Sequence, residues 1–196
     1  MKTSAQLKED ISFEVTLRKH RLQFRSTWGL FSPRCIDDGS YLLIEHIDVE
    51  DGQQTLDLGC GYGAMGLAIA KECPAGNVHL VDKDFVAVDY AIRNAELNGL
   101  GNCRAYLSNA FSAVGNTMFD NIAANLPAKV GNELLYIMLC DARDHLNPGG
   151  QLVVVTVSGI RQFIKRNFKE VFGNYRKLKQ GREYTVARAF KEDTAS

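Results

Sequence analysis

The sequence predicts an α/β fold with a doubly wound, mostly parallel sheet of seven strands. Three observations support this class: short apolar strands alternate with amphipathic helices, a glycine-rich turn joins the first of these strands to a helix, and an antiparallel hairpin closes the chain. The 196 residues are enough for one domain with a sizeable core. We expect residues 1–36 to form a hairpin extension packed on a main domain of residues 37–196.

The N-terminal extension has the pattern of a β-hairpin. Apolar and polar residues alternate in two arms between Ile11 and Thr27, on either side of a polar turn. A helix is then predicted through the apolar residues from Leu42 to Ile47, with Asp38 or Ser40 as its N-cap.

The last third of the chain continues the alternation of helices and strands. A helix is predicted over Gly131–Leu146 and is ended by Asn147-Pro-Gly-Gly. The unbroken valine-rich run at Gln151–Val157 is typical of a strand that is buried on both faces. A basic amphipathic helix, Ile160–Phe172, and the hairpin within Asn174–Phe190 complete the chain.

The turn after the first strand of the sheet has the composition of a ligand-binding device. Apolar residues at Gln54–Leu58 indicate a buried strand, and Ala64–Ala70 has the apolar pattern of a helix. Between them stand three glycines at alternate positions, Gly59, Gly61 and Gly63. Glycine brings bare backbone close to a ligand, and a helix N-terminus offers unpaired N–H groups. The sequence therefore predicts a ligand site at this turn.

Two classes of cofactor are bound by turns of this kind. The residues from Gly61 to Gly66 match the dinucleotide pattern G-x-G-x-x-G, which is weak evidence by itself. Asp57 extends the pattern to D-x-G-x-G-x-G, which resembles motif I of the class I S-adenosylmethionine-dependent methyltransferases. Asp82 ends the next strand, where both classes place a carboxylate that binds ribose, so it does not discriminate between them.

The resemblance implies S-adenosylmethionine as the cofactor and assigns residues to it. In that family, motif I holds the methionine end, the acid of the second strand holds the ribose, and residues after the third strand border the adenine. The residues implied here are Asp57, Gly59, Cys60, Gly61, Gly63, Asp82, Lys83, Asn109, Ala110 and Asn125. Asn109 replaces the aspartate usual in the family, but its side-chain oxygen also accepts hydrogen bonds.

A catalytic motif is predicted after the fourth strand, Met118–Ala124. Asn125-Leu126-Pro127-Ala128 resembles the Asn-Pro-Pro-aromatic signature of methyltransferases that act on planar exocyclic nitrogens. The lone pair of such a nitrogen is delocalised. Acceptors on Asn125 and on the carbonyl of Leu126 would localise it and aim it at the methyl donor.

This motif departs from the family signature at two positions. Leu126 keeps the backbone carbonyl but loses the stiffness of proline. Ala128 lacks the aromatic ring that would stack on a flipped base. The alternative interpretation is a turn at the end of a strand with no chemical role.

The segment before the first helix points to one family within the class I methyltransferases. Gly29-Leu-Phe31-Ser, followed by a D-x-G-S pattern and a leucine-rich helix, is similar to the entry of the small-domain methyltransferases, which include ribosomal RNA guanine-N2 methyltransferases. In that family this stretch lies over the cofactor and substrate pocket. The resemblance therefore implies that Phe31 contacts the cofactor and that Asp38 takes part in catalysis. The alternatives are a core role for Phe31 and a helix cap for Asp38.

Charge is distributed unevenly, although the net charge is zero. Residues 35–160 contain six Lys or Arg against 16 Asp or Glu, whereas residues 161–182 contain eight basic residues and one acid. The N-terminal extension is basic as well. The two basic segments form either a surface for nucleic-acid phosphates or ordinary solvated faces of a helix and a hairpin.

Several classes of protein do not fit the composition. The sequence lacks both an apolar run of membrane-spanning length and a secretory leader, so we expect a cytoplasmic protein. The five cysteines are scattered without a C-x-x-C pair, which argues against a disulfide framework and against a zinc site. No metal is expected.

These observations favour a methyltransferase that acts on an exocyclic amine of a nucleobase in RNA, with guanine N2 of ribosomal RNA as the best candidate. Two alternatives stay open: a methyltransferase for a small molecule, a protein or DNA, and a binding module that holds S-adenosylmethionine without catalysis. The expected oligomeric state is a monomer or a homodimer.

Overall fold

The computed structural model describes residues 9–127 and 130–192, within which there are nine strands and five α-helices. The strands are β1 (Ile11–Leu17), β2 (His20–Ser26), β3 (Gln54–Leu58), β4 (Asn77–Asp82), β5 (Cys103–Leu107), β6 (Phe119–Asn125), β7 (Leu146–Val157), β8 (Arg176–Gln180) and β9 (Tyr184–Phe190). The helices are α1 (Asp38–His46), α2 (Ala64–Glu72), α3 (Phe85–Leu97), α4 (Asn132–Asp144) and α5 (Arg161–Phe172).

Seven of the strands form one mixed sheet in the order β5-β4-β3-β6-β7-β9-β8. Strands β3 to β7 are parallel, and the hairpin of β8 and β9 joins them antiparallel through β9. The chain proceeds from β3 towards one edge and returns to β6 on the other side of β3. Ligands bind at such a reversal of strand order, at the carboxyl ends of the strands. The predicted fold class is confirmed.

Two hydrophobic cores lie on the two faces of this sheet. The first core contains Leu43 of α1 and Leu67 of α2, and the second contains Leu139 of α4 and Phe168 of α5. Successive side chains of a strand point to opposite faces. Accordingly, Val153 and Val155 of β7 belong to the first core, whereas Leu152 and Val154 belong to the second. Both faces of β7 are covered, which explains its unbroken apolar run at Gln151–Val157.

The N-terminal hairpin forms a separate two-stranded sheet, as predicted. Arg18 and Lys19 form its turn with φ of 46° and 71°, the left-handed backbone that a tight two-residue hairpin turn requires. Asn94 of α3 fixes the hairpin. Its side-chain oxygen accepts from the Arg25 N–H at 2.7 Å, and its Nδ2 donates to the Arg25 carbonyl at 2.9 Å. Leu22 and Phe24 bury their side chains in the first core.

The prediction for the start of β7 is wrong by several residues. Helix α4 ends at Asp144, and β7 already begins at Leu146 rather than at Gln151. Leu146 pairs with Phe119 and Gln151 with Asn121, so the intervening residues 147–150 bulge out of the ladder. Leu146 is fully buried and pairs with Phe119, so the strand starts there although Asn-Pro-Gly-Gly follows.

Gly63, the N-cap of α2, is predicted to be the most sensitive glycine of the turn. Its φ is +95°, and a Cβ there would lie 2.5 Å from Leu67 Cδ1 and 3.2 Å from Leu80 Cδ2. Gly63→Ala should cost about 1–2 kcal/mol for the left-handed backbone and a further 1–3 kcal/mol, roughly, for overpacking. The loss in the free energy of unfolding, measured with urea, gives the sum of these two costs.

Gly99→Ala is the matched control for the backbone contribution. Gly99 also has a positive φ, +65°, but a Cβ there would have no neighbour within 4 Å. We expect it to show the backbone cost alone. Equal losses in the two variants would mean that the close packing of Gly63 on Leu80 contributes nothing.

Candidate functional site

A cavity of about 510 Å³ opens at the carboxyl ends of β3, β4 and β6. Its volume lies within the range typical of small-molecule sites. The structure brings eleven of the predicted site residues to its lining: Phe31, Gly59, Cys60, Gly61, Asp82, Lys83, Asn109, Ala110, Asn125, Leu126 and Pro127. Asp38, Asp57 and Gly63 do not line it.

The glycine turn is tied to the end of β4. The N–H groups of Gly59 and Cys60 donate to the Val81 carbonyl at 2.8 and 2.9 Å, and the Gly61 N–H donates to Asp82 Oδ2 at 2.9 Å. A Cβ at Gly59 or at Gly61 would have no protein atom within 4 Å. These glycines therefore leave a cradle of bare backbone, into which a cofactor fits closely.

Asp82 is available to a ligand at the same edge. Its Oδ1 accepts from the Asp84 N–H at 3.0 Å and its Oδ2 from Gly61, so each oxygen keeps a second lone pair for a donor from a ligand. Asn109 lies across the cavity in a turn that is held by its own N–H, which donates to Ser112 Oγ at 3.1 Å. Its side chain is exposed, so its oxygen is open to a donor from a ligand.

Asp57, which was predicted to contact the cofactor, lies behind the turn and does not line the cavity. The side chain is fully buried, and its Oδ2 accepts from the Gly66 N–H at 2.7 Å. Burial raises its pKa to about 7; the Gly66 N–H opposes this shift, and the negative charge of Asp82 adds to it. Its Oδ1 has no partner among the residues that the structure describes. Asp57 therefore acts on the first turn of α2.

Gly63 is the second residue of motif I that the structure places away from the cavity. It faces Leu67 and Leu80 instead, so its role is close packing between α2 and β4. Motif I thus divides into residues that form the cradle and residues that support it.

Asp38 is the third residue that is not at the cavity. The N-cap of α1 is Asp37, whose Oδ2 accepts from the Ser40 N–H at 3.0 Å, and Asp38 is an exposed residue in the first helical turn. Asp37 and Ser40 both line the cavity. The structure places Asp37, and not the predicted Asp38, at the cavity. The D-x-G-S pattern itself fits Asp37, and its spacing is the signal that would have identified it.

Asn125 ends β6 with its side chain at the cavity. Its Nδ2 donates to Asp37 Oδ2 at 2.8 Å and to Ser40 Oγ at 2.9 Å. Leu126, which follows, is 4% exposed and packs in the second core, and its N–H donates to the Val155 carbonyl at 3.0 Å. Leucine thus anchors this loop by burial. The prediction for Ala128 lies outside the described residues.

Phe31 forms part of the rim of the cavity. It is 70% exposed, which excludes the alternative of a core residue. The loop that carries it is held by Tyr62, a residue that the sequence analysis did not single out. The Tyr62 hydroxyl donates to the carbonyls of Ser32 and Cys35, both at 3.1 Å. Burial raises the pKa of Tyr62, so the hydroxyl stays protonated and keeps donating.

The N-terminal hairpin and the basic helix α5 do not share a face of the sheet. The N-terminal hairpin packs on the first core and α5 on the second, so the two lie on opposite faces of the sheet. Arg18 is used internally, since its Nη1 donates to the carbonyls of Ile44 and Ile47 at the end of α1. In the described part of the chain, no helix has both the length and the apolar character to cross a membrane.

Comparisons with known proteins agree with this geometry. A family model described as "Methyltransferase small domain" matches residues 21–188. The chain is 33% identical over 186 residues to the uncharacterized protein YbxB of Bacillus subtilis, covering 92% of this chain and 91% of that protein. It is 26% identical to ribosomal RNA large subunit methyltransferase G of Pectobacterium atrosepticum, covering 95% of this chain and 51% of that protein.

A solved structure extends the similarity to the whole described fold. The 16S rRNA N2 G1207 methyltransferase of T. thermophilus, solved in complex with AdoMet and guanosine, superposes with a TM-score of 0.86 at 28% identity. The match covers 95% of this chain and 52% of that one. The chain thus spans about half the length of both named ribosomal RNA methyltransferases.

Proposed function

The chain belongs to the methyltransferase small domain family, and from that premise we propose that it methylates an exocyclic nucleobase amine in RNA, with guanine N2 of ribosomal RNA as the target. Membership in this family makes it an S-adenosylmethionine-dependent methyltransferase, so the predicted enzyme class and cofactor are confirmed. The nucleic acid, the base and the accepting atom are the proposal.

The cavity fits the cofactor through the residues already described. The bare backbone of Gly59 and Gly61, the Asp82 carboxylate and the Asn109 side chain would hold it. When bound, S-adenosylmethionine supplies an electrophilic methyl group on a sulfonium sulfur. The residues of the chain must then bring a nucleophile in line with that group and exclude competing water.

The proposal that an amine nitrogen accepts the methyl group rests on the side-chain amide of Asn125. Both of its N–H bonds are used by Asp37 and Ser40, whereas Oδ1 accepts no hydrogen bond from residues 9–127 and 130–192. This side chain lines the cavity. A hydrogen-bond acceptor at this place suits a planar amine. The acceptor holds one N–H bond of the amine, and the lone pair of the nitrogen then faces the methyl group. No strong base is needed, because the proton becomes acidic once the nitrogen is alkylated.

RNA is the acceptor class that the relatives support. The two named relatives are ribosomal RNA methyltransferases, and the one from T. thermophilus is named for N2 of a guanine. The exposed ring of Phe31 at the rim adds a local argument. A nucleobase stacks favourably on an aromatic face, which Ala128 does not offer.

Transfer of labelled methyl groups tests the proposal. The purified protein is incubated with methyl-labelled S-adenosylmethionine and with RNA, DNA or protein from cells that lack its gene. Labelled RNA is then digested to nucleosides. We expect the label in RNA, as N2-methylguanosine, and transfer at a strongly reduced initial rate with the Asn125→Ala variant.

Other distributions of the label would change the proposal in defined ways. Label on a different nucleobase amine would keep RNA and refute guanine N2. Label in DNA or protein would refute RNA as the acceptor. If no fraction is labelled although S-adenosylhomocysteine binds tightly, the acceptor is a small molecule or the chain is a binding module.

A further inference from the structure

We propose that Asp37, Ser40 and Tyr184 are positioning residues that orient the amide of Asn125, so that its oxygen and not its nitrogen faces the substrate. These three residues are called the polar clamp below. This inference rests on the proposed function, because it assigns a purpose to the orientation of the residue that would hold the amine. None of the three was predicted as a site residue from the sequence.

The contacts of the polar clamp converge on one side-chain amide. Nδ2 of Asn125 lies 2.8 Å from Asp37 Oδ2 and 2.9 Å from Ser40 Oγ. Asp37 Oδ2 also accepts from the Ser40 N–H at 3.0 Å, and Asp37 Oδ1 accepts from the Tyr184 hydroxyl at 3.2 Å. Every oxygen of the Asp37 carboxylate is therefore used.

The donors and acceptors permit only one orientation of the amide. An ionised carboxylate can only accept hydrogen bonds, so Asp37 must face the NH₂ group of Asn125. A flipped amide would set its oxygen against the carboxylate oxygen and would point two N–H donors at the substrate amine. That orientation would repel the N–H bonds that the proposed reaction needs to hold.

Tyr184 reaches Asp37 from a distant part of the chain, and Gly39 makes room for it. A Cβ at Gly39 would lie 2.8 and 2.9 Å from two ring carbons of Tyr184 and 3.0 Å from Asp37 Oδ2. Burial raises the pKa of the Tyr184 hydroxyl, and the charge of Asp37 raises it further, so the hydroxyl remains a donor. The D-x-G-S pattern thus provides three parts of the polar clamp. They are the Asp37 carboxylate, the space at Gly39 that the Tyr184 ring fills, and the Ser40 hydroxyl.

Asp37→Ser separates the orienting role from the helix cap. Serine is a good N-cap, so α1 should keep its first turn and the protein its melting temperature. The shorter side chain does not span Asn125 and Tyr184. We expect kcat at saturating RNA to fall by up to about 100-fold, as for a misplaced reacting group, with little change in the affinity for S-adenosylhomocysteine. Ser40→Ala, which keeps the backbone N–H to Asp37, should cause a smaller loss of kcat.

Glu50→Ala is the control. It removes an exposed acid that follows α1, and Glu50 does not line the cavity. Its kcat should equal that of the unmodified protein. Tyr184→Phe keeps the ring and removes only the donor to Asp37, and we expect it to lie between the control and Asp37→Ser.

A measurement without turnover distinguishes this inference from the proposed function. In ¹⁵N-edited NMR spectra, the Nδ2 protons of Asn125 should exchange slowly with solvent in the unmodified protein and rapidly in Asp37→Ser. If exchange shows this contrast but no RNA is methylated, the proposed function fails and the polar clamp stands. If RNA is methylated while Asp37→Ser retains both full kcat and slow exchange, the polar clamp is refuted.

Discussion

Asn125→Ala should lower the rate of methyl transfer by about 10²–10³-fold, as expected for the loss of one preorganised polar group in an active site. The expected reason is that the amide oxygen at the cavity no longer holds an N–H bond of the substrate amine, whose lone pair then remains delocalised. Cofactor binding should persist, because the cradle of Gly59 and Gly61 is untouched. Single-turnover methyl transfer and calorimetry with S-adenosylhomocysteine measure the two quantities.

Asn116→Ala is a suitable control for this prediction. Asn116 is an exposed asparagine just before β6 and does not line the cavity, so both quantities should be unchanged. Loss of cofactor affinity in Asn125→Ala, with transfer intact at high cofactor concentration, would instead assign Asn125 to the cofactor.

Asp57→Asn should remove a pH dependence of stability. The pKa of Asp57 is raised from 3.8 to about 7, chiefly by burial. Between these values the folded protein binds more protons than the unfolded chain, so the free energy of unfolding falls as the pH rises. At about 1.36 kcal/mol per pKa unit, this loss amounts to roughly 4 kcal/mol between pH 4 and pH 8. Asparagine is neutral throughout and can still accept from the Gly66 N–H.

Urea unfolding of both proteins from pH 4 to pH 8 provides the test. The stability of Asp57→Asn relative to the unmodified protein should increase with pH and level off above pH 7. Asp144→Asn removes an exposed carboxylate at the end of α4 and should show no such trend. Parallel curves for Asp57→Asn and the unmodified protein would mean that Asp57 titrates like an exposed acid.

The sequence by itself determined the order of the elements and brought most of the predicted site residues to one cavity. The bounds of β3 and the end of β4 agree with the predicted ones, because the glycine turn after Leu58 and the acid at Asp82 mark where these strands end. The carboxyl ends of parallel strands must meet at one edge, so Gly61, Asp82 and Asn125 could be placed together from their positions in the chain.

Only the tertiary structure decided which neighbouring side chains face the cavity. Asp37 and Asp38 are both acids at the start of a helix, and their difference arises from Asn125, which is 88 positions from Asp37, and from Tyr184, which is 147 positions away. Asp57 belongs to motif I in sequence but turns inward to Gly66. Local pattern specifies strands, helices and turns. The direction of a single side chain depends on partners that are brought near it by the fold, and no local pattern contains them.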